Sequence, residues 1–240
     1  MNLLLLPEPF IRANWDRSNE LYRHLKEVLK VKRGSTIDCA VENGPRGKGK
    51  IELINDQGAE LSFQWETPHP PDFMPVRLMV GLSRPQTCRK ILEQATSMGV
   101  EEIHFFGAQK GELSYASSTL WTTDEWQQKI RLGVAQAFSS HIPLCKLHHN
   151  LESLLIEIPE KIGIRLGLDN YESEGKLQAC CERSSESIWL AVGAERGWSG
   201  NERNQLRVNG FSLMHLGKRV LRVETAVVAA LGILGAGLEE

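Results

Sequence analysis

The chain of 240 residues has only five cysteines, no long apolar run and no excess of either charge. The cysteines, at 39, 88, 145, 180 and 181, form no CxxC and no even spacing. That excludes a disulfide scaffold and a cysteine-rich metal knuckle, and it reads as reduced thiols in a cytoplasmic protein. The leading Leu3–Leu6 run is too short for a secretory leader, and no basic segment precedes it. The apolar stretch from Ala226 to Leu238 falls short of the roughly 20 residues that a bilayer needs. The 28 Lys and Arg nearly balance 30 Asp and Glu, giving a net charge of -2, unlike a protein that coats nucleic acid with its whole surface. No repeat or low-complexity tract occurs, and no GxSxG, HExxH or GxGxxG. The usual anchors of serine hydrolases, zinc proteases and dinucleotide enzymes are therefore missing. The seven histidines form no metal constellation: adjacent His148 and His149 cannot easily share one ion. No metal is expected.

What is present is a chain with 41% hydrophobic and 24% charged residues, the composition of an ordered globular protein. At this length roughly three quarters of the unfolded surface can be buried. The segment from Thr67 to Pro75 holds four of the ten prolines and reads as an extended linker over about 67–75, with a boundary near residue 70. Ahead of it, the spacing predicts one helix over Asn19–Leu29, with Leu21, Leu25, Val28 and Leu29 on one face. Alternating runs at Ser35–Val41, Lys50–Ile54 and Glu60–Trp65 predict short strands of a small barrel, with turns at Asn43-Gly44 and Gln57-Gly58. Behind it, predicted strands at Val76–Leu82, Ile103–Phe106, Ile164–Leu168, Ile188–Val192 and Phe211–His215 alternate with helices such as Arg89–Met98 and Trp126–Phe138. This is the pattern of an α/β domain with a largely parallel sheet. Ser199 and Glu202 form a capping box that starts another helix.

Residues 44–50, Gly-Pro-Arg-Gly-Lys-Gly-Lys, match a phosphate-loop pattern, but Ile51 stands where a hydroxyl would hold magnesium. The flanks read as strands, so the segment is read as a flexible basic hairpin. From Arg23 to Lys50 there are eight basic residues against three acidic ones, which suits either a solvated face or phosphate contacts. Two further segments follow predicted strands and carry glycines: Val192-Gly193-Ala194-Glu195-Arg196-Gly197-Trp198-Ser199 and Leu216-Gly217-Lys218-Arg219-Val220-Leu221-Arg222-Val223-Glu224-Thr225-Ala226. In a parallel sheet such loops line the ligand crevice.

Together these two segments resemble the C-terminal signature of the RsmE family of the SPOUT superfamily, the 16S rRNA uridine methyltransferases. That family usually reads Gly-Pro-Glu-Gly-Gly-hydrophobic-Ser, then Leu-Gly-x-Arg-Ile-Leu-Arg-x-Glu-Thr-Ala. The segment from His24 to Lys30 with Gly34, Ser83-Arg84 and Met98-Gly99-Val100 also resemble it. The resemblance implies a PUA-like RNA-binding β-barrel over 1–70 and a trefoil-knotted SPOUT methyltransferase domain over 71–240. It implies S-adenosylmethionine as cofactor, 16S rRNA or the small ribosomal subunit as partner, and a homodimer. The apolar face of the C-terminal stretch Thr225–Leu238 also suits a dimer.

By the resemblance, Leu168, Val192, Gly193, Ala194, Glu195, Gly197, Leu216, Gly217, Val220, Leu221, Arg222 and Thr225 hold the cofactor. His24, Lys30, Arg46, Lys48, Arg84 and Arg219 face RNA, and Arg222 and Glu224 act in catalysis. Arg222 would orient a phosphate or stabilise charge on the base; Glu224 would position Arg222 or take a proton. A salt bridge between these two is the alternative reading. The chain departs from the family at Ala194 and Arg196, where Pro and Gly are usual. It departs again at Ala135, Phe138 and Ser139 of a usual Glu-Gln-x-Gly-Arg, and at Gln94 and Ser97. Two other functions stay open: the same cofactor with another RNA target, and a non-catalytic RNA-binding assembly factor.

Overall fold

The computed structural model describes residues 3–67, 70, 72–159, 163–180 and 187–238. Pro68, His69 and Pro71 of the proline-rich segment, and Cys181, lie outside the described residues. The chain divides into two units, one of residues 1–72 with Val134–Ile142, the other of residues 73–133 and 143–240.

The first unit is built on five strands: β1 (Leu4–Leu6), β2 (Arg12–Asp16), β3 (Thr36–Val41), β4 (Arg46–Ile54) and β5 (Gly58–Trp65). They form a curled half-barrel sheet in the order β1-β3-β4-β5-β2. Leu6, Leu25, Cys39, Ile51 and Leu61 fill its core. Between β2 and β3 lies α1 (Glu20–Arg23), capped by the Asn19 side chain and continued by a π-helical turn over His24–Val28. The wider turn corrects the expected helical face. Leu25 is buried, whereas Val28 is turned out and 61% exposed.

The Gly-Lys-rich segment is not a flexible hairpin. Arg46 to Lys50 lie inside β4, paired with β3 on one side and β5 on the other. Arg46, Lys48 and Lys50 face solvent, alternating with buried Gly47, Gly49 and Ile51. A Cβ on Gly47 would collide with the Gln64 carbonyl oxygen and sit 2.8 Å from the Trp65 ring. Glycine is there because the neighbouring strand and its stacked Phe63–Trp65 pair come close. Two of the cations are paired, Lys48 with Asp38 and Lys50 with Glu52.

The second unit is a seven-stranded, all-parallel sheet: β6 (Met74–Gly81), β7 (Val100–Phe106), β8 (Leu144–His148), β9 (Ile164–Leu168), β10 (Gly175–Lys176), β11 (Ile188–Val192) and β12 (Ser212–His215). Their order is β10-β12-β9-β11-β6-β7-β8. The helices are α2 (Pro85–Ser97), α3 (Thr119–Thr122), α4 (Glu125–Gln136), α5 (Leu151–Leu155), α6 (Gly200–Val208) and α7 (Val223–Leu238). All five residues of central β11 are buried, as expected of a parallel strand covered on both faces. Val192 pairs in register with Val80 and Leu168, and Leu168 with Met214. Four strands thus end at one level, and the loops that follow emerge side by side. Among the described residues no helix is long and apolar enough to cross a membrane.

Histidine 148 does not act with His149. Its Nε2 lies 3.0 Å from Nδ1 of His104 on the neighbouring strand, and His104 Nε2 lies 2.8 Å from Glu102. Both rings are nearly buried, His104 against the Trp189 ring and His148 beside Glu157, which pairs with Lys146. Burial holds both imidazoles below their ordinary value of 6.5, for His104 against the pull of Glu102. Below that pH the unfolded chain takes up protons that the folded chain refuses. Stability should therefore be full above pH 6.5 and fall as the pH drops, by up to about 1.4 kcal/mol per pH unit for each histidine. Urea unfolding at pH 7.5 and 5.5 measures this, and His104→Gln should flatten the dependence. An equal slope in both proteins would contradict it.

The four described cysteines are free. Desolvation pushes the thiols of Cys39, Cys88 and Cys145 up to about 12, so none of these three is a ready nucleophile.

Candidate functional site

At the carboxyl rim of the parallel sheet the loops enclose a cavity of about 890 Å³. Leu168 and Val192 end their strands at its floor. Gly193 to Trp198 form one wall, and Leu216 with Arg219 to Glu224 another. The loop after β7, with Lys110, Gly111, Glu112 and Tyr115, and the start of α2, with Arg84, Thr87 and Lys90, complete the lining. Glycine-bearing segments of separate parts of the chain meet here because their strands end in register.

The Gly193–Trp198 wall is clamped from several sides. Glu195 Oε1 accepts the Arg84 backbone N–H at 2.8 Å, at the N-terminus of α2, where a carboxylate meets the positive end of the helix dipole. Lys110 Nζ donates to the Trp198 carbonyl at 2.7 Å. The buried Trp198 ring stacks on Phe106, centroids 5.9 Å apart, and its Nε1 donates to the Leu168 carbonyl at 2.8 Å. The capping box of α6 is formed between Ser199 and Glu202. Gly197 has φ +64, a left-handed conformation that glycine adopts without strain. Arg196 beside it is not in that region.

Asp169, just after β9, is buried against Arg203 of α6. Burial alone would raise its pKa. The Arg203 guanidinium and the backbone N–H groups of Tyr171 and Glu172 outweigh it and hold the carboxyl below the usual range. Glu224, in the first turn of α7, meets Lys90 at 3.2 Å. Burial opposes the charge here too, but its own backbone N–H, Lys90 and Arg222 win, and its pKa is lowered. The Arg222–Glu224 salt bridge of the alternative reading is not formed: the partner of Glu224 is Lys90, and Arg222 stands exposed at the rim.

Of the residues singled out from sequence, Leu168, Val192, Gly193, Ala194, Glu195, Gly197, Leu216, Val220, Leu221, Arg222, Glu224, Arg84 and Arg219 line this one cavity. Gly217 and Thr225 do not. Gly217 shapes its loop at φ +130, its N–H donating to His215 Nδ1. Thr225 is exposed, because at about 100° per residue position 225 faces away from Val223, Glu224 and Ala226. His24, Lys30, Arg46 and Lys48 belong to the first unit. Lys90, Lys110, Glu112, Tyr115, Asp169 and Arg203 were not anticipated. None sits in a glycine motif, and only the fold brings them to the rim.

A sequence model of the RNA methyltransferase domain family matches residues 70–235. The chain belongs to that family. It is of the RsmE type. Ribosomal RNA small subunit methyltransferase E of Treponema pallidum is 29% identical over 215 residues, covering 88% of this chain and 80% of the relative. The protein named methyltransferase E 1 of Borreliella burgdorferi is 23% identical over 233 residues, covering 96% and 95%. Among solved structures, methyltransferase E of Neisseria gonorrhoeae bound to S-adenosyl methionine is similar, with a TM-score of 0.83 at 23% identity over 99% of this chain and 98% of that one. A methyltransferase of Legionella pneumophila in complex with the same cofactor gives a TM-score of 0.80 at 19% identity, covering 97% and 96%. These likenesses establish the SPOUT-type parallel-sheet unit and the PUA-like half-barrel of the RsmE fold.

Proposed function

We propose that this RNA methyltransferase transfers the methyl group of S-adenosylmethionine to ring nitrogen 3 of a uridine in 16S rRNA of the small ribosomal subunit. In this reading it works as a cytoplasmic homodimer, with residues 1–70 as an RNA-binding barrel and 71–240 as the catalytic domain. One observation carries the reading: the two glycine-bearing loops and the end of β9 line a single cavity at the carboxyl rim. The lining fits the cofactor. Leu168, Val192, Ala194, Leu216, Val220 and Leu221 offer apolar surface for a flat heteroaromatic ring, and the loop backbones offer donors and acceptors around it.

When bound, S-adenosylmethionine supplies a methyl group on a sulfonium whose departure needs no acid. Uracil nitrogen 3 carries a proton at neutral pH that must pass to solvent water for the methyl group to be accepted, so the protein's task is to favour its loss. Arg222, exposed at the rim and making no side-chain hydrogen bond or ion pair among the described residues, is placed to stabilise negative charge on the base. Glu224 is committed to Lys90 and held ionised, which makes it a weak proton acceptor and a positioning group for Lys90. A second reading, the same cofactor with another RNA site, is favoured by Arg196, which adds a cation to the cavity wall.

Mapping methylated uridines in 16S rRNA from a strain lacking the gene tests the reading. One uridine should lose its modification and regain it on complementation. A 16S rRNA unchanged between the two strains would refute it. Calorimetric titration with S-adenosylmethionine separates both enzyme readings from a non-catalytic assembly factor, which would give no heat.

A further inference from the structure

The cavity rim carries more uncommitted positive charge than its own acids can satisfy. Three of its cations are engaged: Lys90 with Glu224, Lys110 with the Trp198 carbonyl, and Arg203 with Asp169. Four guanidinium groups, those of Arg84, Arg196, Arg219 and Arg222, make no side-chain hydrogen bond or ion pair among the described residues. On the acidic side, Asp169 and Glu224 are paired with cations, and Glu195 accepts only the Arg84 backbone N–H, which leaves Glu195 and Glu112 without a cation. Four guanidinium groups without a bonded partner, against two carboxylates without a cation, make a site for a polyanion.

Arg196 is the one of these four to which the family resemblance assigns no role. The backbone at 196 is not left-handed, so the loop's shape does not require glycine at this position. Gly197 makes the turn, and the bonds from Arg84 to Glu195 and from Lys110 to Trp198 hold the wall on either side. The Arg196 side chain is exposed and supports nothing around it. A guanidinium fork matches two oxygens of one phosphate. A nucleotide turned out of its stack into the cavity leaves its flanking phosphates at the rim.

We infer that Arg196 binds an RNA backbone phosphate beside the target nucleotide and so helps to position the RNA over the cavity. The inference rests on the RNA methyltransferase reading. Its rival is a contact from Arg196 to the carboxylate of the cofactor.

The test uses the full-length protein with Arg196→Ala and Arg196→Lys. S-adenosylmethionine affinity is measured by calorimetry. Binding to a 20-residue oligouridylate is followed against salt, and turnover is measured on small ribosomal subunits from a strain lacking the gene. For Arg196→Ala, KM for the subunits should rise about tenfold, the equivalent of one lost charged contact. The turnover number should stay within about threefold and cofactor affinity within about twofold. The slope of log affinity against log salt should shrink by about 0.7, the value of one phosphate on a single strand. Arg196→Lys should keep the salt slope. An unchanged KM and salt slope would overturn the inference, as would loss of cofactor affinity with RNA binding intact. Should wild-type protein leave the subunits unmethylated, the 16S rRNA reading fails while the oligouridylate slope still decides the role of Arg196.

Discussion

Replacing Arg222 with Ala should lower methyl transfer on the order of 100-fold or more while leaving S-adenosylmethionine affinity within a few-fold. The size follows from removing one fixed donor to a charge that develops in the transition state, which costs roughly 10²–10³ in turnover. The side chain is exposed, is not paired with Glu224 and holds no other wall residue, so its loss should cost little stability. The effect should appear in kcat, since an interaction made only with the developing anion leaves ground-state binding alone. Single-turnover assays with saturating RNA and cofactor measure it directly. Turnover like that of the wild type would remove Arg222 from the chemistry.

The second large effect is on stability. Trp198→Ala should destabilise the protein by about 3–5 kcal/mol, the range for a large buried aromatic cut to a methyl group. For a chain of this size that is a fall of roughly 10 °C in Tm. Trp198 is 2% exposed, stacks on Phe106 and holds the end of β9 through its indole N–H. Its removal also frees the loop between Gly193 and Ser199, so cofactor affinity should fall with it. Trp198→Phe keeps the stack and loses the indole N–H. It should recover most of the stability and less of the affinity. Thermal unfolding and calorimetry on the two variants separate packing from positioning. Equal cofactor affinity in wild type and Trp198→Ala would show that the wall keeps its shape without this residue.

The residues that made parts of this structure legible share a physical character. Strand β11 has the bounds its apolar run predicts, because a strand buried on both faces needs an unbroken run. Strand β9 also has the predicted bounds, although Arg165 interrupts its apolar residues. The start of α6 was readable because a capping box is local, within four residues. Strand β8 was missed because it lies at the sheet edge, with Leu144, Lys146 and Leu147 exposed and no apolar run to mark it. Strand β4 was misread because its inward positions are glycines. A pattern search takes them for turn signals, although close packing demands them. In the site, the glycine loops were visible as motifs, whereas the bonds that fix them were not. Glu195 reaches a partner 111 residues away and Lys110 one 88 residues away. No spacing rule covers such distances, and only the register of a parallel sheet creates them.

The composition of the first unit has a consequence for how the protein can be made. Leu3 donates its backbone N–H to the carbonyl of Ala135. Asn43 donates to Ser140 and accepts from Ile142 through its side chain. A ribosome that has finished residue 72 has therefore not yet supplied everything the half-barrel uses. The missing piece follows only after β6, α2 and β7 have been synthesised. Closing contacts across so long a stretch of chain is entropically costly and slow. Early half-barrel intermediates on the ribosome should thus be loosely held, and a fragment ending at the proline-rich segment is a poor stand-in for the half-barrel of the whole protein.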